Sequence, residues 1–86
     1  MKNRKKIWVV MITIKFFASL REEIGKTEVQ MEISEPLTIT KIWNQVCNGV
    51  PLPNHVLMAI NMEYTNSIAV VKDGDEVAFF PPVTGG

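Results

Sequence analysis

The 86-residue sequence holds one cysteine and one histidine, and that shortage excludes several chemistries at once. A lone cysteine forbids an internal disulfide and makes a reducing, cytoplasmic setting the natural expectation. One histidine and one cysteine also leave no material for a metal cluster or a hydrolase triad. Charge of one sign is missing in excess: nine lysines and arginines balance nine aspartates and glutamates. Nucleic-acid binders carry a clear basic surplus, so that partner class is not expected. The longest apolar run, Ile7 to Ile14, is closed by Lys15 and falls far short of the ~20 residues of a membrane-spanning helix. What remains is an ordinary globular composition, 47% apolar and 21% charged, in a length that makes one domain with a modest core. Whatever the chain does, it brings no conventional side-chain active site.

The opening stretch "MKNRKKIWVV" has the outline of a secretory signal, with four basic residues ahead of an apolar run. No small-residue cleavage site follows Lys15, and a strand-like alternation is complete from Met11. Residues 1–10 are therefore expected to be a dispensable basic extension, residues 11–80 the folded domain, and residues 81–86 an extended tail.

Within the domain, "ITIKFF" alternates, with Ile12, Ile14 and Phe16 on one face and Thr13, Lys15 and Phe17 on the other. "ASLREEIG" reads as a helical turn closed by Gly25. "TEVQMEI" returns as a second strand with Val29, Met31 and Ile33 inward. Pro36 breaks it, and Thr38 caps a helix in which Ile39, Ile42, Trp43 and Val46 form one apolar face. Asn48-Gly49 suits a left-handed helix end. "VPLPN" is a loop, "VLMAIN" a third, buried strand, "MEY" a short edge strand, and "KDGDE" a turn into the last strand, "EVAFF". One helix crossing a mixed sheet of four to five strands, with strands before and after it, is an α+β β-grasp.

Two features stand outside this frame. Phe17, Tyr64 and Phe80 fall at positions that face away from the helix, where water is expected; three aromatics near the start of the tail suggest a docking patch. The tail itself, "PPVTGG", contributes nothing to a core. Pro81 and Pro82 fix φ and remove donors, so the chain leaves the sheet stiff and extended. A terminal glycine carboxylate has no side chain beside it and can be threaded into a narrow pocket of another protein.

The segment "VKDGDEVAFFPPVTGG", with the "FF" that closes the first strand and the "AIN" of the third, resembles the small-subunit family of molybdopterin synthase from Met11 to Gly86. The resemblance implies a ubiquitin-like fold and a sulfur carrier. Gly86 is then the reacting residue: a ubiquitin-activating-like adenylyltransferase uses ATP to adenylate its carboxylate, and a sulfur donor enzyme converts it to a thiocarboxylate. Pro81, Pro82, Val83, Thr84 and Gly85 are implied to enter the active site of the large subunit. There a cyclic pyranopterin phosphate receives sulfur as the dithiolene of molybdopterin, in molybdenum cofactor biosynthesis. Two small and two large subunits are implied, with catalysis on the large one and no cofactor or metal bound by this chain. Sulfur carriers for thiamine or tRNA thiolation, and ubiquitin-like protein modifiers, share the fold and tail and stay open as alternatives. Cys47 is expected at the helix boundary rather than as a sulfur relay, and His55 is expected to be solvated in its loop.

Overall fold

The alternation that places Ile12, Ile14 and Phe16 on one face also decides where the sheet keeps its core. The computed structural model of the chain describes residues 10–82, so residues 1–9 of the expected extension and Val83 to Gly86 of the tail lie outside the described residues. The first strand, β1 (Val10–Phe16), begins one residue earlier than expected. Val10 pairs with Ile33, so the ladder claims the last residue assigned to the extension.

A six-residue helix, α1 (Ser19–Ile24), follows, with Leu20 buried. It is a true helix rather than a single turn. Gly25 ends it in the left-handed region, φ 82°, and its N–H donates to the Arg21 carbonyl, a conformation that glycine adopts without steric cost. β2 (Glu28–Ile33) then returns antiparallel to β1, with Met31 opposite Ile12 and Val29 opposite Ile14. The two inward rows therefore share one face.

After Pro36, β3 (Leu37–Thr38) leads directly into α2 (Ile39–Val46). The Thr38 hydroxyl accepts a hydrogen bond from the Lys41 N–H at 3.3 Å, satisfying one of the orphan donors of the first turn. Ile39, Ile42 and Trp43 are buried. Asn48 and Gly49 turn the chain away at φ 55° and 85°. The remaining strands are β4 (Leu57–Ile60), β5 (Glu63–Thr65), β6 (Val70–Val71) and β7 (Glu76–Phe80).

The main sheet has five strands in the order β2-β1-β7-β4-β5. β1 and β7 run parallel at its centre, and the other pairings are antiparallel. With α2 laid on one face, this is the β-grasp arrangement expected from the element order. An antiparallel ladder of β3 with β6, Leu37 opposite Val71 and Thr38 opposite Val70, forms a second small sheet. Sequence reading missed it because two-residue strands show no alternation. The short edge strand also differs by a residue: Met62 lies in the turn that precedes β5.

Between α2 and the sheet lies an aromatic core. Phe79 stacks on Phe16 at 5.7 Å and meets the Trp43 ring edge-on at 4.9 Å, geometries that suit ring quadrupoles. Ile12, Ile14 and Val77 complete the sheet side, and no polar or charged residue is buried with them among the described residues. Trp43 Nε1 is carried into this core without a hydrogen-bond partner among the described residues. No described helix is long and apolar enough to cross a membrane.

Candidate functional site

Among the described residues no helix covers the opposite face of the sheet, and strand register aligns its side chains in rows. Lys15 of β1 lies beside Ala78 of β7, Ala78 beside Ala59 of β4, and Ala59 beside Tyr64 of β5. One row further, Phe80 pairs with Leu57. Phe17 continues the β1 ladder past the strand's end, its N–H donating to the Phe79 carbonyl at 3.1 Å.

The three aromatics singled out in the sequence are brought together. Phe17 and Phe80 stack with ring centroids 5.0 Å apart and planes 8° from parallel. Tyr64 approaches Phe80 at 6.0 Å. Phe17 remains 38% and Tyr64 71% exposed, so this cluster forms on the surface rather than within the core. Ala59 and Ala78 contribute only methyl groups between taller neighbours. The result is a depression of about 420 Å³, walled by Phe17, Phe80, Tyr64, Met62 and the Lys15–Glu76 pair.

Lys15 Nζ and Glu76 meet at 2.8 Å, both partly exposed. The hydrogen bond that Lys15 donates to Glu76, followed by the carboxylate's negative charge, raises the lysine pKa above its ordinary value. An exposed pair of this kind adds little to stability, but it gives an otherwise apolar face one polar wall. Sequence reading did not find the pair, nor the alanine floor or Met62. The alternation put Lys15 and Phe17 on this face, but nothing local says which residue of a distant strand lies opposite.

The tail leaves from the same place. β7 is a central strand, bonded to β1 on one side and β4 on the other, and its last residue is Phe80. Pro81 is half-buried and Pro82 exposed, while Val83, Thr84, Gly85 and Gly86 fall outside the described residues. The exit point is thus anchored by two ladders and a stacked ring.

Other candidates have weaker chemistry. Cys47 caps the C-terminus of α2, donating its N–H to the Trp43 carbonyl at 2.8 Å. Burial pushes its thiol pKa up, partly offset by the charge of Lys26, which suppresses the nucleophilic thiolate. His55 is exposed. The "DGDE" segment is a turn, in which Asp75 accepts from the Lys72 N–H and the Asn61 amide. A larger cavity of about 610 Å³, beside α2 and the proline loop, has no titratable side chain in its lining.

Comparison with known proteins covers nearly the whole chain. The ThiS family model matches residues 14–86. The molybdopterin synthase sulfur carrier subunit of Haemophilus influenzae is 37% identical over 82 residues, covering 88% of this chain and 100% of that protein. The protein of the same name from Escherichia coli K12 is 34% identical, with the same coverage. Among solved structures, small archaeal modifier protein 1 of Haloferax volcanii superposes with a TM-score of 0.71 at 23% identity, covering 86% of this chain and 99% of that one; at that identity the likeness speaks for the fold. With the family match running from β1 through the central strand β7 to the terminal Gly-Gly, the chain belongs to the ThiS family.

Proposed function

We propose that the chain is the sulfur carrier subunit of a molybdopterin synthase, part subunit and part cosubstrate, with Gly86 as its reacting residue. The observation that carries this reading is continuity. The matched segment runs unbroken from β1, through β7, to the terminal glycine, and relatives matched over their full length are named for this role.

The chemistry follows from what a glycine carboxylate can do. One carboxylate oxygen attacks the α-phosphorus of ATP on an activating enzyme, and pyrophosphate leaves. A sulfide-level donor then attacks the acyl carbon, AMP departs with the electron pair of the broken C–O bond, and the chain ends in –C(=O)S⁻. Thiocarboxylic acids are much stronger acids than thiols, so this sulfur is anionic at neutral pH and nucleophilic. Within the large subunit this sulfur forms a C–S bond to a cyclic pyranopterin phosphate. Water cleaves the resulting thioester, leaving the sulfur on the pterin and restoring the Gly86 carboxylate. Two small and two large subunits assemble for this.

The domain's own contribution is delivery. Phe80 sits in the stacked cluster directly before Pro81, so docking that cluster on the large subunit aims the tail at its active site. The prolines reduce the freedom lost when the tail enters. A reducing cytoplasm suits both the thiocarboxylate and a chain with one cysteine.

The test is intact-mass analysis after incubation with a ubiquitin-activating-like adenylyltransferase, ATP and a sulfur donor. The expected result is a mass gain equal to replacement of one oxygen by sulfur, located on the C-terminal peptide. An unchanged mass under conditions that convert an authentic carrier overturns the reading. Isopeptide adducts on lysines of other proteins would assign the chain to protein modification instead.

A further inference from the structure

The turn between β4 and β5 places two consecutive non-glycine residues in the left-handed region, Asn61 at φ 51° and Met62 at φ 72°. Two-residue hairpin turns of this kind strongly favour Asn-Gly, because both central residues need positive φ. Asn61 meets the demand with three hydrogen bonds to the start of β7 and the turn before it. Its side-chain amide donates to Asp75 at 2.9 Å, its side-chain oxygen accepts from the Glu76 N–H at 2.9 Å, and its own N–H donates to the Glu76 carbonyl at 2.8 Å.

Met62 gains no such compensation. An unbranched side chain in the left-handed region carries steric strain that glycine does not. The thioether is also 89% exposed, the highest exposure of any large apolar side chain among the described residues. The strain therefore works against the folded domain, and at this exposure the side chain buries almost nothing in return. Yet Met62 forms the rim of the depression floored by Ala59 and Ala78.

We infer that Met62 is a partner-contact residue, a second anchor for the large subunit at the opposite end of the docking face from Phe80. The inference rests on the functional reading above. Hydrogen bonds from Asn61 pin the turn at the level of Glu76, the first residue of β7, and Phe80 is its last. At the rise of a strand those levels are ~13 Å apart. One anchor beside the tail leaves the domain free to swivel about it. Two anchors that far apart fix its orientation, with Lys15, opposite Ala78, between them. A methionine suits the role, since it adapts to the shape of an apolar partner surface. The partner is the large subunit because the tail leaves from this same face.

The test uses the full chain with Met62→Gly and, separately, Met62→Leu, measuring unfolding temperature and calorimetric affinity for the large subunit. Met62→Gly should raise the unfolding temperature by a few degrees, about 4 °C, while weakening association about tenfold. Met62→Leu keeps both the strain and the apolar contact, and should stay within about twofold of the unaltered chain. Normal binding by Met62→Gly overturns the inference. So does a fall in its unfolding temperature, which would mean that Met62 packs within its own chain. Failure of the unaltered chain to bind overturns the functional reading and this inference together, and is thereby distinguished from failure of this inference alone.

Discussion

Phe79 and Phe80 are adjacent, identical side chains on one strand, and they serve opposite faces of the sheet. Phe79 is fully buried against Phe16 and Trp43. Phe80 stacks on Phe17 at the surface, within reach of Tyr64. The strand period of two is enough to separate them. Apolar composition alone therefore does not distinguish residues that pack the core from residues left at the surface. The two faces differ in what covers them: α2 lies on one, and nothing within the described residues lies on the other. On the second face the apolar surface is stabilising only when another protein buries it.

The largest effect should come from beyond both faces. Deleting Gly86, or adding one residue after it, should abolish sulfur transfer while leaving the unfolding temperature unchanged, because the proposed reacting carbon is the terminal carboxyl and the tail follows the last strand. Product formation and thermal unfolding, measured on the same sample, would check this; full activity in the extended protein would refute it.

Phe79→Ala should come next and act on folding alone. Removing a buried ring that packs against two other aromatics should cost roughly 3–5 kcal/mol, read by denaturant unfolding. A much smaller loss would mean that the helix-covered face is not where stability resides.

Phe80→Ala should give the smallest effect of the three and reverse the pattern. Truncating a stacked anchor in an interface costs about 2 kcal/mol or more, over tenfold in affinity, and should leave the unfolding temperature almost unmoved. Calorimetry against the large subunit would decide. If Phe80→Ala bound normally and Phe79→Ala folded normally, the two faces would have been assigned the wrong way round.

Much of this was legible without coordinates, because the signals are local. Alternation in "ITIKFF" and "EVAFF" assigns each side chain a face. The spacing of Ile39, Ile42 and Trp43 marks the buried side of α2, and Thr38 and Asn48-Gly49 bracket it through the hydrogen-bonding and left-handed conformations open to those residues. The same alternation made Phe17 and Phe80 candidates for one surface, with Tyr64 added from the short strand, and the resemblance of the terminal segment made Gly86 the candidate reacting residue.

Tertiary structure decided what depends on register between strands far apart in sequence. That Lys15 lies against Ala78 and pairs with Glu76, and that Ala59 and Ala78 meet to floor a depression, follows from β1 and β4 flanking β7. No local pattern encodes it, since shifting a strand by two residues keeps every side chain on its face but changes all its neighbours. The β3–β6 ladder is too short to carry a pattern. The positive φ of Met62 follows from the β4–β5 register, which leaves only Asn61 and Met62 to turn the chain, and the bonds that tie Asn61 to Asp75 and Glu76 form only once β7 has joined them.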